Sequence, residues 1–296
     1  VADALLRYAK DSGVRIFNNV TVKSLVVNES TVKGVKDING RIYNADNVII
    51  ATGGKSYPLT GSTGDGYLLA KQAGHTITDI SPSLIPLVIK GEDCPALQGL
   101  SLRNVSVSVY SKDKKIFEDF GELVFTHYGV SGPVILSVSS HLKDFSNNYK
   151  LSIDLKPALD NETLDRRILR DFEKFKLREI SNSLNELLPT KLIPVILKRW
   201  GIDKTCRCNS ITKEERKKLL DILKNFTLDI TGTRPIDEAI ITRGGVKVSE
   251  INPKTMESKL CSGLYFCGEV IDVDAYTGGF NLQIAFSTGY LAGQLL

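Results

Sequence analysis

The stretch GLYFCGEVIDVDAYTGGFNLQIAFSTGYLAG (263–293) decides the reading of this chain. Gly263-Leu264-Tyr265-Phe266-Cys267-Gly268-Glu269 reads as a strand running into a glycine and an acid. Thr277-Gly278-Gly279-Phe280-Asn281-Leu282-Gln283 then leads into a helix over 284–295, with Ala285, Phe286, Tyr290 and Leu291 at helical spacing. A strand that ends in small residues, a crossing loop and a helix that opens on Gly-Gly make a docking point for a ligand. Free backbone N–H groups at a helix start hold an anion or an electron-rich carbonyl, and glycines let a flat ring approach the backbone. Taken alone, Gly278-Gly279 is equally well read as a tight loop.

Working outward, Val48-Ile49-Ile50 has the composition of a buried parallel strand, and Ala51-Thr52-Gly53-Gly54 follows it with room for a close approach. A glycine-rich stretch, Gly61 to Gly66, precedes a helix over 67–73, with Thr63 or Asp65 as cap and Gly74 as stop. Upstream, residues 2–10 form a short amphipathic helix. Val14 to Phe17 reads as a strand, and Thr21 to Val27, Val32 to Ile38 and Arg41 to Tyr43 form a meander with a type I′ turn at Asn39-Gly40. Near the other end, Ile240 to Val246 is a strand that breaks into Gly244-Gly245.

Composition changes after Ser81-Pro82. Strand-like runs occupy 84–89, 105–110, 122–125 and 151–155, and Ser131-Gly132-Pro133 marks a helix start. From Leu159 to Phe226 the pattern is helical and charged, with capping boxes at Thr212–Glu215 and Ser183–Glu186. Lys and Arg around 213–218 alternate with Glu214 and Glu215, which reads as a solvated face and not a nucleic-acid patch.

A chain of 296 residues is long enough for about two domains. A net charge of +4 is too mild to argue for nucleic acid or a membrane surface, and no apolar run approaches the roughly 18 residues of a spanning helix. Five scattered cysteines predict free thiols in a cytoplasmic protein, since Cys206-Arg207-Cys208 lacks the partners of a metal site.

Together these motifs resemble the HI0933-like flavoprotein family, within the glutathione-reductase and fumarate-reductase group of two-dinucleotide-fold enzymes. The stretches ATGGKSYPLTGSTGDGYLLAKQAGH (51–75), GELVFTHYGVSGP (121–133), ITRGGV (241–246) and 263–293 carry the resemblance, which spans essentially the whole chain. It implies an α/β plus α+β architecture: an FAD/NAD(P)-binding Rossmann-like domain over 1–80 and 241–296, with an inserted substrate domain that is β-barrel-like over 81–157 and helical over 158–240. It implies that Ala51, Thr52, Gly53 and Gly54 pass the adenosine side of FAD. Gly268, Glu269 and Asp272 lie by the pyrophosphate and ribityl. Gly244 and Gly245 lie beside the flavin, and Gly278, Gly279, Phe280, Asn281 and Leu282 face its ring. His127 and Arg243 are the candidate catalytic side chains; their plainer readings are a structural histidine and a packing arginine. No metal is expected.

One departure from the family matters. No GxGxxG turn, which cradles a dinucleotide pyrophosphate, occurs in these residues. The resemblance therefore suggests that roughly a hundred residues precede Val1, about a small domain's worth, and that this polypeptide binds FAD weakly or not at all. The expected activity of the intact protein is hydride transfer through FAD from NAD(P)H to a small organic substrate, some family members being linked to reduction of steroid-like C=C bonds. The alternatives are a non-catalytic binding fragment and a flavoprotein acting on RNA.

Overall fold

In the computed structural model, which describes residues 2–294, the chain forms two hydrophobic cores joined by a pair of crossing strands. Helix α1 (Ala2–Asp11) leads to a three-stranded antiparallel meander of β1 (Val22–Asn28), β2 (Thr31–Asp37) and β3 (Ile42–Asn44). Residues 14–17 are not a strand: Val14, Ile16 and Phe17 are apolar and exposed, and no neighbouring strand supplies them with a ladder. The β2–β3 hairpin forms, but its turn is longer than a type I′ turn. Asp37 pairs with Arg41 across a three-residue loop in which only Gly40 has positive φ, and the Asp37 carboxylate accepts the Asn39 and Arg41 amides. That carboxylate favours the three-residue form, which places Gly in the left-handed position.

Strand β4 (Val48–Ile50) is followed by α2 (Asp65–Gln72). Gly64 caps α2 with φ +88, so neither Thr63 nor Asp65 does. The chain then crosses through β5 (Ser81–Ser83) into a closed barrel. Its first strands are β6 (Leu87–Ile89), β7 (Ser101–Ser111), β8 (Lys114–Phe125) and β9 (Gly129–Ser131), with α3 (Asp93–Leu97) between β6 and β7. Helix α4 (Pro133–Ser139) starts with Pro at its first turn, and β10 (Tyr149–Asp154) follows. The helical stretch is α5 (Asn161–Lys174), α6 (Ile180–Ser183), α7 (Ile193–Trp200) and α8 (Lys213–Lys224). Strand β11 (Phe226–Thr233), from inside the stretch read as helical, closes the barrel between β10 and β6 in the order β10-β11-β6-β9-β8-β7.

Alternation explains the barrel. Val105, Val107 and Val109, Leu151 and Ile153, and Phe226, Leu228 and Ile230 point inward and are buried, while Lys150, Thr227 and Asp229 point out. Each fully buried aliphatic side chain contributes about 1.5–3 kcal/mol. The Thr212–Glu215 capping box forms with both of its bonds. The one at Ser183 does not: Ser183 has helical φ and ψ, and its hydroxyl donates back to the Ile180 carbonyl at 2.9 Å, so it ends α6.

The chain returns through β12 (Ile241–Arg243), which pairs antiparallel with β5 (Ser83 with Ile241, Ser81 with Arg243). Strand β13 (Leu264–Phe266) then pairs in parallel with β4, Phe266 beside Ile50, and α9 (Phe280–Gly293) completes the described chain. Helix α9 begins four residues before the 284 expected from periodicity. No described helix is long and apolar enough to cross a membrane.

Under β13 lies a buried polar lock. Ser258 Oγ accepts the amides of Leu260 (3.0 Å) and Cys261 (2.8 Å), so its own proton goes to His75 Nε2 at 2.7 Å. The His75 Nδ1–H then donates to Glu250 at 3.1 Å, and Phe266 packs edge-on against the ring. Burial lowers the His75 pKa, the Glu250 carboxylate opposing it in part. A lowered folded-state pKa means that the unfolded chain takes up the proton first. The resulting stability is complete above about pH 6.5, the unfolded value, and is lost as pH falls from there through the folded value. Urea unfolding from pH 8 to pH 5 is expected to show this loss. His75→Gln should flatten that part of the slope and cost about 1–3 kcal/mol at pH 8 by leaving Glu250 and Ser258 without their partner.

Candidate active site

The parallel pair β4–β13 brings two loops to the same end of the strands, 51–54 after Ile50 and 267–269 after Phe266. Ligands of open α/β sheets sit at this carboxyl end. Ala51 and Thr52 are exposed there and Gly54 is buried. A side chain on Gly54 would strike Thr242 Oγ1 and come within 2.5 Å of Glu269 Oε1. Gly53 has φ +73, and a Cβ there would lie 2.9 Å from Ser62 Oγ. Glycine in this loop is thus required by neighbours already present.

Glu269 and Thr242 tie the loop to its surroundings. The Glu269 carboxylate accepts the Thr242 amide at 2.7 Å and the Ser56 hydroxyl at 3.2 Å. Thr242 Oγ1 accepts the amides of Lys55 (2.7 Å) and Ser56 (3.0 Å). Glu269 also lines a crevice of ≈ 210 Å³ with Asn281, Leu282 and Ala285 of α9. The loop after β4, at Gly54 and Ser56, and the start of α9 therefore meet through one side chain.

Helix α9 opens on Gly278 (φ +110) and Gly279 (φ +92), and no side chain caps its first turn. Phe280 and Leu282 are exposed, and space around Gly279 is open. The side chain of Asn281 is committed to the preceding loop. Its Oδ1 accepts the Ala275 amide and its Nδ2 donates to the Ala275 carbonyl, both at 2.8 Å, which leaves only its backbone N–H for a ligand. Gly268 donates its amide to Thr288 Oγ1 at 2.9 Å and so pins the 268–270 turn to α9.

Gly244 and Gly245 are explained by backbone packing. A Cβ on Gly244 would collide with the Asp79 carbonyl, and one on Gly245 would lie 2.5 Å from the Val270 carbonyl and 2.9 Å from the Asp272 nitrogen. They pack Val246 between Ile77 and Ile271. Asp272 donates its amide to Val246 at 3.0 Å, and its side chain shares a cavity with Arg243.

The two candidate catalytic residues are in different places. Arg243 borders a cavity of ≈ 690 Å³ with Asp272, Asp274, Tyr276 and Phe280; it donates to the Ser140 carbonyl and lies 3.9 Å from Asp274. His127 is exposed on the β8–β9 turn, edge-on to Tyr128, whose ring also carries the Arg234 guanidinium at 4.6 Å. His127 does not line that cavity.

Three side chains at these sites were not singled out from sequence. His141 Nε2 lies 2.5 Å from the Tyr276 hydroxyl across 135 residues of chain, a contact with no local signature. Tyr276 sits one residue before Thr277-Gly278-Gly279, where the motif itself could have drawn attention. Tyr67 is 6% exposed, and its Oη has no hydrogen-bond partner among the described residues. Burial, with the Glu269 and Asp272 carboxylates adding to it, pushes its pKa up to about 12, so it remains a protonated donor. A buried hydroxyl without a partner costs about 1–3 kcal/mol, and one beside a glycine-lined loop fits a polar ligand.

The loop geometry predicts a defined cost. Thr242→Val keeps shape but strands the Lys55 and Ser56 amides, and urea unfolding should show a loss of about 1–3 kcal/mol that Thr242→Ser largely restores. A loss under about 0.5 kcal/mol would show that the loop is held otherwise.

The chain is 32% identical over 285 residues to the 3-dehydro-bile acid delta(4,6)-reductase of Clostridium scindens, covering 95% of this chain and 69% of that protein. It is 34% identical over 267 residues to a ribosomal RNA dihydrouridine synthase of Haemophilus influenzae (90% of this chain, 64% of that protein). The corresponding Escherichia coli protein is 30% identical over 258 residues (87% and 62%). The chain thus spans about two thirds of the length of these relatives. The family model described as the HI0933-like protein Rossmann domain matches residues 1–295, and the chain belongs to that family of oxidoreductase-like, Rossmann-type proteins.

Proposed function

We propose that the chain carries the ring-facing and substrate-facing parts of an FAD-dependent reductase that saturates a C=C bond conjugated with a carbonyl, using NAD(P)H. The observation that carries this reading is the convergence on Glu269 of the loop after β4, through Gly54 and Ser56, and the uncapped start of α9. Residues 81–240 are read as the inserted substrate domain, 81–157 its β-rich part and 158–240 its helical part, although β11 joins the barrel from the latter. The names of the relatives favour the reaction class. A 3-dehydro, delta(4,6) steroid and the uracil ring of uridine both present a C=C bond next to a carbonyl.

The residues present fit a flavin. The backbone amides of Phe280, Asn281 and Leu282 would face the electron-rich pyrimidine edge, Ala51 to Gly54 would leave room for the adenosine side, and Tyr67 Oη offers an unused donor. Bound flavin supplies a two-electron carrier that takes hydride from NAD(P)H and passes it to the substrate. The partial charge at the α9 start is worth about 0.3–2 kcal/mol toward the reduced, anionic edge, or roughly 5–40 mV for a two-electron couple. That tunes the potential and does not set it. Arg243 would orient an electron-rich substrate oxygen. His127 would act only from the exposed β8–β9 turn, outside the cavity that Arg243 lines.

A second reading, in which the reduced base lies in RNA, is favoured by the names of two relatives. Titration of the whole natural protein with FAD, followed by flavin fluorescence, tests the first reading. Leu282→Glu places an acid in the first turn of α9, which favours the helix itself but repels the ring edge. It should weaken FAD binding about tenfold or more, while Leu282→Gln does not. Equal affinity of the two variants would remove the α9 assignment. RNA that co-purifies and dissociates steeply with salt would favour the second reading.

A further inference from the structure

The ≈ 690 Å³ cavity is built by both halves of the molecule: Ser140 and Lys143 come from the barrel side, and Asp272, Asp274, Ala275, Tyr276 and Phe280 from the approach to α9. Tyr276 of its wall and His141 behind it make one of the shortest side-chain contacts of the fold, Nε2 to Oη at 2.5 Å. The reading above does not use either residue. We infer that Tyr276, hydrogen-bonded to His141, is the proton donor to a conjugated C=C bound in this cavity, with Arg243 and Lys143 facing the substrate's carbonyl oxygen.

The inference rests on the reductase reading and deepens it. Saturating an α,β-unsaturated carbonyl needs two partners. A flavin reduced by NAD(P)H would supply the hydride, a proton with two electrons, to the β-carbon. The π electrons move to the α-carbon and oxygen as an enolate. The α-carbon then takes a proton from Tyr276 Oη, whose O–H electron pair stays on the phenolate. A solvent proton taken up at His141 Nε2 restores the phenol. The sum is one hydride and one proton added across the C=C.

The geometry suits each role. Tyr276 is half exposed to the cavity, beside the Phe280 ring at the α9 start, so its hydroxyl can reach a ligand there. His141 is exposed enough for solvent to reach it, and Phe117 from β8 packs on its ring with centroids 4.8 Å apart, which fixes its orientation. The charged groups that share the cavity with Tyr276 are Arg243 from β12, Lys143 from the segment after α4, and Asp272 and Asp274 from the loop before α9. Asp274 is already held by the Ser83 hydroxyl at 2.8 Å. Burial and then the Arg243 charge lower the His141 pKa, which favours the neutral imidazole, whose Nε2 accepts the Tyr276 O–H while the cavity is empty; with substrate bound the hydroxyl turns from Nε2 toward the α-carbon. A structural clasp between the two halves would use the same hydrogen bond, so the test separates the two roles.

Two probes differ only in their need for a proton. 2-Cyclohexen-1-one requires protonation of its enolate, whereas 1-nitrocyclohexene yields a nitronate that is stable without it. Flavin-loaded protein is reduced with NADPH or NADH and its reoxidation by each probe is timed. Tyr276→Phe should slow reoxidation by cyclohexenone about 10²–10⁴-fold and leave reoxidation by nitrocyclohexene near wild type. Equal slowing of both probes, or of neither, overturns the proposal. Wild-type protein that is reduced but reoxidised by neither probe overturns the reductase reading itself. A second measurement needs no flavin: with three histidines in the chain, each imidazole C–H can be followed by NMR from pH 5 to pH 9. Tyr276→Phe should shift the His141 titration and leave His75 and His127 in place. An unmoved His141 would show that the pair does not form in solution.

Discussion

The Glu269 carboxylate is the constraint on which the rest of the site depends. It accepts one amide from β12 and one hydroxyl from the loop after β4, and it reaches into the crevice against α9. Three segments far apart in sequence are thereby fixed within one side chain's length. A carboxylate can do this because it accepts from several donors at once, and bonds to a charged acceptor are worth about 1.5–3 kcal/mol each, more than bonds between neutral groups. The small residues of the loop follow from it: with Glu269 and Thr242 in place, nothing larger than glycine fits at Gly54.

The two cores answer different needs. The barrel and its helices bury a continuous apolar cluster from Leu87 to Ile230, held by inward-facing strand residues and by Trp200, whose Nε1 donates to the Glu215 carbonyl at 2.7 Å. The smaller cluster, from Val32 to Ala292, is organised by the parallel strands and by the His75–Ser258–Glu250 lock. Helix α9 contrasts with both, since Phe280, Leu282, Phe286 and Tyr290 are apolar and exposed together. An exposed apolar helix face is normally covered, and the open first turn of α9 is where the proposed ring would lie.

Much of this was legible in the sequence where local chemistry decides. The β4 and β13 strands, the Thr212 capping box and the start of α4 at Pro133 follow from composition, capping and proline geometry. What failed was what tertiary context decides. Val14 to Phe17 has strand composition but no partner. Ser183 has the capping-box spacing, yet its hydroxyl found a nearer acceptor in the turn it closes. The 226–233 strand was hidden behind a helical neighbour, and its place in the barrel depends on pairing with residues more than 70 positions away. The glycine motifs pointed to the loops that follow β4 and β13, but His141 and Tyr276 meet across folded distance alone. Gly244 and Gly245 matched a family motif, and their structural reason is close backbone packing.

The paired strands β5 and β12 carry a mechanical consequence. They join the two cores as a two-stranded ribbon and not as separate tethers. Antiparallel pairing of Ser81–Ser83 with Ile241–Arg243 makes sliding or twisting of one half against the other break ladder bonds, while bending across the flat of the ribbon breaks none. Relative motion of the halves is thereby confined to opening and closing along one direction. The His141–Tyr276 and Arg243–Ser140 hydrogen bonds cross between the halves beside the larger cavity, and they resist that opening.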